Sequence, residues 1–192
     1  MKFLAVILLP LVGLFVSCGG STEIKDSLDA MLSHPVRLSL DRMKCSYRGS
    51  DTLMADSIKP DLRLVVYVDS SECSSCVLDQ MYHWNEMLSE SRKYDGRLQY
   101  VFIVAPRPSQ LEDARLSLEY CGLQSPVYVD TGFVFRCSNP WFPSGRMYHT
   151  FLLNRNDSVL LVGSPLDNPN INELFTRTVK SVITNNSKNN KL

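Results

Sequence analysis

Leu62-Arg63-Leu64-Val65-Val66-Tyr67-Val68, followed after Asp69-Ser70-Ser71-Glu72 by Cys73-Ser74-Ser75-Cys76, is the stretch that decides how this chain folds. The first seven residues form a near-continuous apolar run, the pattern of a strand buried on both faces. Beyond Ser74, Val77, Met81, Trp84 and Leu88 recur at spacings of four, three and four, which predicts a helix. Two thiols therefore fall where a buried strand hands over to a helix. A thiolate there meets unpaired backbone N–H groups and the positive helix end, which together lower its pKa from about 8.5 toward neutrality. With two residues between them, the second thiol can attack a mixed disulfide formed by the first. Cys73, at the helix mouth, is the expected exposed nucleophile; Cys76, one turn in, is the expected resolving thiol.

Outward from this point the elements continue in order. Leu98–Val104 is a second buried strand. Ser109-Gln110-Leu111-Glu112 reads as a capping box opening a helix with Leu111, Ala114, Leu118 and Cys121 on one face, stopped by Gly122. Residues 126–129 form a short strand, and 150–153 with 159–162 form an antiparallel hairpin across a polar turn. Asn168-Pro169 caps a last helix with Ile171, Leu174, Thr178 and Val182 facing inward. Upstream, residues 22–32 suggest a weakly amphipathic spacer helix, and Gly49-Ser50-Asp51 suggests a hairpin within residues 36–58. Right-handed crossovers make the two long strands parallel and the late hairpin antiparallel. The expected fold is α/β, a mixed central sheet with helices on both faces.

The first eighteen residues, MKFLAVILLPLVGLFVSC, read as an address. Lys2 supplies a positive start, and the apolar run 3–16 is short for a membrane span but suits a signal segment. Phe15-Val16-Ser17-Cys18 resembles a bacterial lipoprotein cleavage box, in which Cys18 is lipidated and becomes the new N-terminus; a plain secretory signal is the alternative. Acyl chains contribute about 0.8 kcal/mol per buried methylene, enough in pairs for stable anchoring. The expected location is the bacterial cell envelope, facing the periplasm, where disulfides persist. The expected division is 1–17 signal peptide, 18–57 tether with short helix and hairpin, 58–184 main domain, and 185–192 disordered tail. The 192 residues carry 20 basic against 20 acidic side chains, a balance that excludes nucleic acid as partner, since phosphate binding needs a concentrated positive field.

Residues of about 58–184 resemble a thioredoxin-like domain. Val66-Tyr67-Val68-Asp69-Ser70, Cys73-Ser74-Ser75-Cys76, Phe142-Pro143-Ser144, Thr150-Phe151-Leu152-Leu153, Gly163 and Asn168-Pro169 are similar to short thioredoxin-like lipoproteins of Bacteroidota. The layout is distantly similar to membrane-tethered thiol-disulfide oxidoreductases of the TlpA and ResA type. The resemblance implies a redox-active Cys73/Cys76 disulfide, no organic cofactor, and as partners the protein thiols of envelope clients and a redox recycling protein.

Three departures from the better-studied relatives bear on the chemistry. Glu72 stands before the nucleophile, where Trp is typical. A carboxylate roughly 5 Å away opposes ionisation by about 0.8 kcal/mol in water and about 3 kcal/mol at an effective dielectric of 20. The helix end offers about 0.3–2 kcal/mol the other way, so the sign of the net shift stays open. Tyr67 lies where a buried acid is usual, so that base is missing or comes from elsewhere. His149 stands at the position of the family's cis-proline, which places an imidazole near both sulfurs. It would then be an activating partner of Cys73, a third ligand in a Cys73-Cys76-His149 copper site of the Sco type, or a surface replacement without chemical role. A redox-inert binding lipoprotein is a further alternative. No second Cys pair suits structural zinc, and no Pro-x-x-x-Thr-x-x-Cys pattern suits a peroxiredoxin.

The remaining candidates are weaker. His83, seven residues beyond Cys76, lies about 10 Å along a straight helix and reads as a surface residue. Trp141-Phe142-Pro143 forms a loop expected to approach the Cys pair, either as an aromatic wall or as loop packing. Cys121 suits a buried helix face, and a disulfide between two of Cys45, Cys121 and Cys137 stays open.

Overall fold

The computed structural model describes residues 19–52, 60–72 and 74–189. Cys18 and the signal segment, Cys73, and residues 53–59 and 190–192 lie outside the described residues. In chain order the elements are α1 (Gly19–Ser33), β1 (Lys44–Tyr47), β2 (Ser50–Asp51), β3 (Leu62–Val68), α2 (Ser74–Leu78), α3 (Asn85–Ser91), β4 (Leu98–Val104), α4 (Leu111–Tyr120), β5 (Val127–Val129), α5 (Val134–Ser138), β6 (Thr150–Asn154), β7 (Val159–Val162) and α6 (Pro169–Asn189).

Among the described residues, one sheet of seven strands runs in the order β2-β1-β5-β4-β3-β6-β7. β3 pairs parallel with β4 and antiparallel with β6, whose hairpin with β7 is also antiparallel. That β4-β3-β6-β7 core, with helices before β4 and after β7, is the thioredoxin-like arrangement. Alternation along β3 divides the interior. Leu62, Leu64, Val66 and Val68 face Leu78, Met81, Trp84, Ala114, Leu118, Phe175 and Val179. Val65 and Tyr67 face Met31, Val36, Phe135, Phe142 and Tyr148 on the other side. Helices cover both faces, as expected, and β3 is buried on both because it is central.

Several local expectations change. The helix after Cys73 is not continuous: α2 ends at Leu78, and Met81–Trp84 forms a 3-10 turn before α3. Gln80 N–H donates to Val77 O at 3.2 Å and His83 N–H to Gln80 O at 3.2 Å, both three residues back. Tightening the helix to three residues per turn aligns Leu78, Met81 and Trp84, all 6% exposed or less, on one face. The Ser109 capping box does not form either. Pro108 opens a 3-10 turn one residue earlier, which puts Ser109 inside the turn and Gln110 at the cap, while Glu112 pairs with Arg115 at 3.2 Å. Residues 22–32 are more than a spacer, since Met31 is fully buried. The last helix runs through Asn189, so residues 185–189, expected in the tail, are helical. Arg97 holds them: its Nη1 donates to Ser187 Oγ at 2.5 Å, its Nη2 to Ile183 O at 2.8 Å and its Nε to Asp61 at 2.6 Å. The β1–β2 hairpin forms, but its turn is Arg48-Gly49, both at positive φ as a tight two-residue turn requires, and Ser50-Asp51, expected in the turn, are the strand β2.

α5 owes its start to Asp130. This carboxylate, 1% exposed, accepts the Val134 and Phe135 N–H groups at 2.7 and 2.9 Å. Asp130→Ala strips both bonds and should lower unfolding free energy by about 1–3 kcal/mol, read as a drop in the urea midpoint. An unchanged midpoint would show that α5 does not need this cap.

Candidate functional site

β3 ends at Val68, and the chain turns sharply through Asp69-Ser70-Ser71-Glu72 before α2. Asp69 builds the turn. Its carbonyl accepts Glu72 N–H at 3.0 Å, and its Oδ1 accepts Ser71 N–H at 2.9 Å, the side-chain turn chemistry that Asp favours. Cys76 is exposed in the first turns of α2. It lines a groove of about 760 Å³ with Glu72, Met81, Trp84, Met147 and His149.

His149 ends the 3-10 turn Arg146–Tyr148, immediately before β6, and its carbonyl accepts Tyr67 N–H at 2.8 Å. All described peptide bonds, that of His149 included, are trans. The imidazole is 3% exposed, so it is no surface replacement. Its Nδ1 lies 2.9 Å from Glu72 Oε1, and its Nε2 lies 3.5 Å from Arg136 Nη2. An ionised carboxylate only accepts and a guanidinium only donates. Nδ1 therefore carries the proton given to Glu72, and Nε2 faces a donor. The ring is thus held between an acceptor on its Nδ1 side and a donor on its Nε2 side. Cys73 lies outside the described residues, and among the described residues there is no cluster of three metal-ligating side chains.

Glu72 is similarly engaged. Burial pushes its carboxyl up, but the bonds from His149 and the Asp69 N–H, together with the charges of His149 and Arg146, outweigh it and hold the carboxyl below its ordinary value. Arg146 Nε lies 3.4 Å from Glu72 Oε2 and is largely solvent-facing.

Beneath this pair sits Arg136, carried by α5. Its Nε donates to Asp69 Oδ2 at 2.9 Å and its Nη1 to the carbonyls of Phe142 and Pro143 at 2.7 and 3.2 Å. Its guanidinium stacks over the rings of Tyr67 and Phe142. Tyr67 is buried and donates its hydroxyl to Asp69 Oδ2 at 3.1 Å, and burial, then Asp69, push its pKa up. An acid is thus supplied two residues beyond Tyr67. Burial alone would raise Asp69, but the bonds from Ser71 and Arg136 and the Arg136 charge bring it down to about 2. A carboxyl ionised so firmly is a counter-ion rather than a proton carrier.

Asp69, Arg136 and Arg146 were not identified from sequence. Asp69 carried a usable signal in its turn-forming spacing to Ser71; Arg136 carried none, being 67 positions away in the chain. His83 is exposed, packs on the Tyr82 ring at 4.0 Å and lines the same groove as Cys76. Trp141 and Phe142 do not line it. Phe142 is 4% exposed against Phe135, Tyr67 and His149, and Trp141 stacks on His34, so the loop is packing. Cys45, Cys121 and Cys137 are free thiols, Cys121 buried as expected of a small apolar side chain.

No family model matches the sequence, and no curated protein is significantly similar to it. Among solved structures the chain is similar to a thioredoxin-like protein in the oxidised form (15% identity, 79% of this chain and 95% of that one, TM-score 0.45). It is also similar to a domain of a possible thiol-disulfide isomerase from Cytophaga hutchinsonii (14%, 80% and 96%, TM-score 0.45). A third is a thioredoxin-like protein from Bacteroides caccae (12%, 62% and 41%, TM-score 0.41).

The carboxylates of Asp69 and Glu72 are held below their unfolded values of about 4, so they stabilise the fold above that pH, and the contribution is lost as pH falls below it, for Asp69 down to about 2. Urea midpoints measured across this window should fall steeply in the native protein and more gently in Arg136→Met. Parallel slopes would show that Arg136 does not set Asp69. The strand order and the turn from β3 into α2, rather than these likenesses, make the chain thioredoxin-like in fold.

Proposed function

We propose that the protein is a membrane-anchored envelope thiol-disulfide oxidoreductase working through Cys73 and Cys76. The observation that supports it best is the exposure of Cys76 at the first turns of α2, in a groove open to solvent and floored by apolar side chains. A buried structural cysteine would have neither the access nor the neighbouring N–H groups that lower a thiol's pKa.

In the reducing direction the Cys73 thiolate attacks one sulfur of a client disulfide. The client's other sulfur leaves as a thiolate and a Cys73–client bond forms. Cys76 then attacks the Cys73 sulfur, the second client thiolate leaves, and the Cys73–Cys76 disulfide holds the two-electron oxidation. A dithiol recycling partner returns those electrons. Run backward, the same steps oxidise a client, and the balance follows the relative potentials, about 30 mV for each 1.4 kcal/mol.

The anchor proposed at Cys18 bears on which clients are reached. α1 begins at Gly19, and Leu28, nine residues on, lines the groove. At 1.5 Å per residue that span is about 14 Å. A lipid on Cys18 would hold the groove close to the bilayer, so clients with disulfides near the membrane surface suit it.

Cys76→Ser, expressed in the native envelope, should accumulate mixed disulfides on Cys73 that vanish on reduction, and Cys73→Ser should accumulate none. Absence of adducts in Cys76→Ser would overturn the reading in favour of a redox-inert binding protein. Cys18→Ser should move the protein from the membrane to the soluble fraction; retention on the membrane would overturn the anchor.

A further inference from the structure

Glu72 is joined to Cys73 by a peptide bond, and a loose carboxylate there would oppose thiolate formation. It is not loose. Its Oε1 takes the His149 Nδ1–H at 2.9 Å and lies 3.3 Å from the Asp69 N–H, and its Oε2 faces Arg146 at 3.4 Å. His149 is fixed in turn. Its ring is 3% exposed, stacks on Phe142 with centroids 6.0 Å apart, meets the edge of Tyr67, and has Nε2 against Arg136.

The groups facing the imidazole come from every element packed on it: Tyr67 and Asp69 at the end of β3, Glu72 in the following turn, Arg136 from α5, and Arg146 from its own turn. Asp69 is paired with Arg136, and Glu72 with Arg146. Each of the two carboxylates therefore has a guanidinium beside it.

We propose that His149 is a positioning residue of the redox site: its Nδ1–H fastens the Glu72 carboxylate where Arg146 and the Asp69 N–H compensate it, so that the neighbouring Cys73 ionises at neutral pH. This rests on the reading of Cys73 as nucleophile. It assigns His149 a role that acts through Glu72, whose carboxylate the Nδ1–H meets at 2.9 Å.

The test is the rate at which iodoacetamide alkylates Cys73 in the reduced full-length protein, followed against pH by mass spectrometry of the Cys73 peptide. His149→Met keeps the bulk and loses the donor. It should raise the apparent thiol pKa by about one unit and slow alkylation at about pH 6.5 roughly tenfold. Adding Glu72→Gln, which removes the freed charge, should restore the rate to within about threefold of native. His149→Gln, which keeps an N–H donor, should stay within about threefold by itself.

A His149→Met rate equal to native, or a double variant as slow as His149→Met, would overturn the proposal. Where His149→Met shows no cooperative thermal transition, His149→Gln decides: near-native alkylation supports the clamp and tenfold slowing overturns it. The reagent needs no client, so a clamp confirmed without client adducts would sink the oxidoreductase reading and leave the clamp standing. Adducts with unaltered alkylation would do the reverse.

Discussion

The Arg136 guanidinium is the contact on which the site's order depends. It reaches Asp69 at the end of β3, the Phe142 and Pro143 carbonyls of the loop beyond α5, and the His149 ring ahead of β6. Three segments distant in sequence thereby meet around one planar cation, whose forked donors impose direction as well as charge. A lysine at this position would supply charge without fixing those three angles. Because Asp130 caps α5 and Asn139 at its end bonds the backbone of Arg37 and Phe135, the helix that carries Arg136 is itself held at both ends.

What this arrangement does chemically is redistribute charge beside a thiol. An acidic residue ahead of the nucleophile looks adverse when taken alone, since its Coulomb opposition and the helix-end attraction are of similar size. In the folded protein the carboxylate has a hydrogen-bond donor on one oxygen and a guanidinium on the other. The same pairing turns the Nδ1 side of the imidazole to Glu72 and its Nε2 side to Arg136. The groove beside Cys76 is left with apolar walls from Met81, Trp84 and Met147.

Much of the scaffold was legible in the chain. β3 and β4 stand out because a strand covered on both faces is nearly all apolar, Arg63 and Gln99 being partly exposed near the strand starts, and the β6–β7 hairpin because its turn is polar. Asn168 and Pro169 announced α6 correctly, with Asn168 Oδ1 accepting the Asn170 and Ile171 N–H groups. Errors gathered where several local codes compete. Pro108 displaced the capping box by starting the helix early, and the spacing of three from Leu78 to Trp84 was hidden inside a pattern that also fits 3.6 residues per turn. The length of α6 depended on Arg97, whose partners Ser187 and Ile183 give no sign in sequence that they are partners.

Sequence alone determined the strand-to-helix handover, the thioredoxin-like order of elements and the two cysteines at the junction, because these follow from local periodicity and near-neighbour spacing. It also singled out His149 by position. Only the tertiary structure decided what His149 and Glu72 do, since their roles depend on which donors and acceptors reach them from residues 77 and 13 positions away. Hydrogen bonds and ion pairs act over about 3 Å in space and carry no memory of separation along the chain, so side-chain partnership is written in the fold.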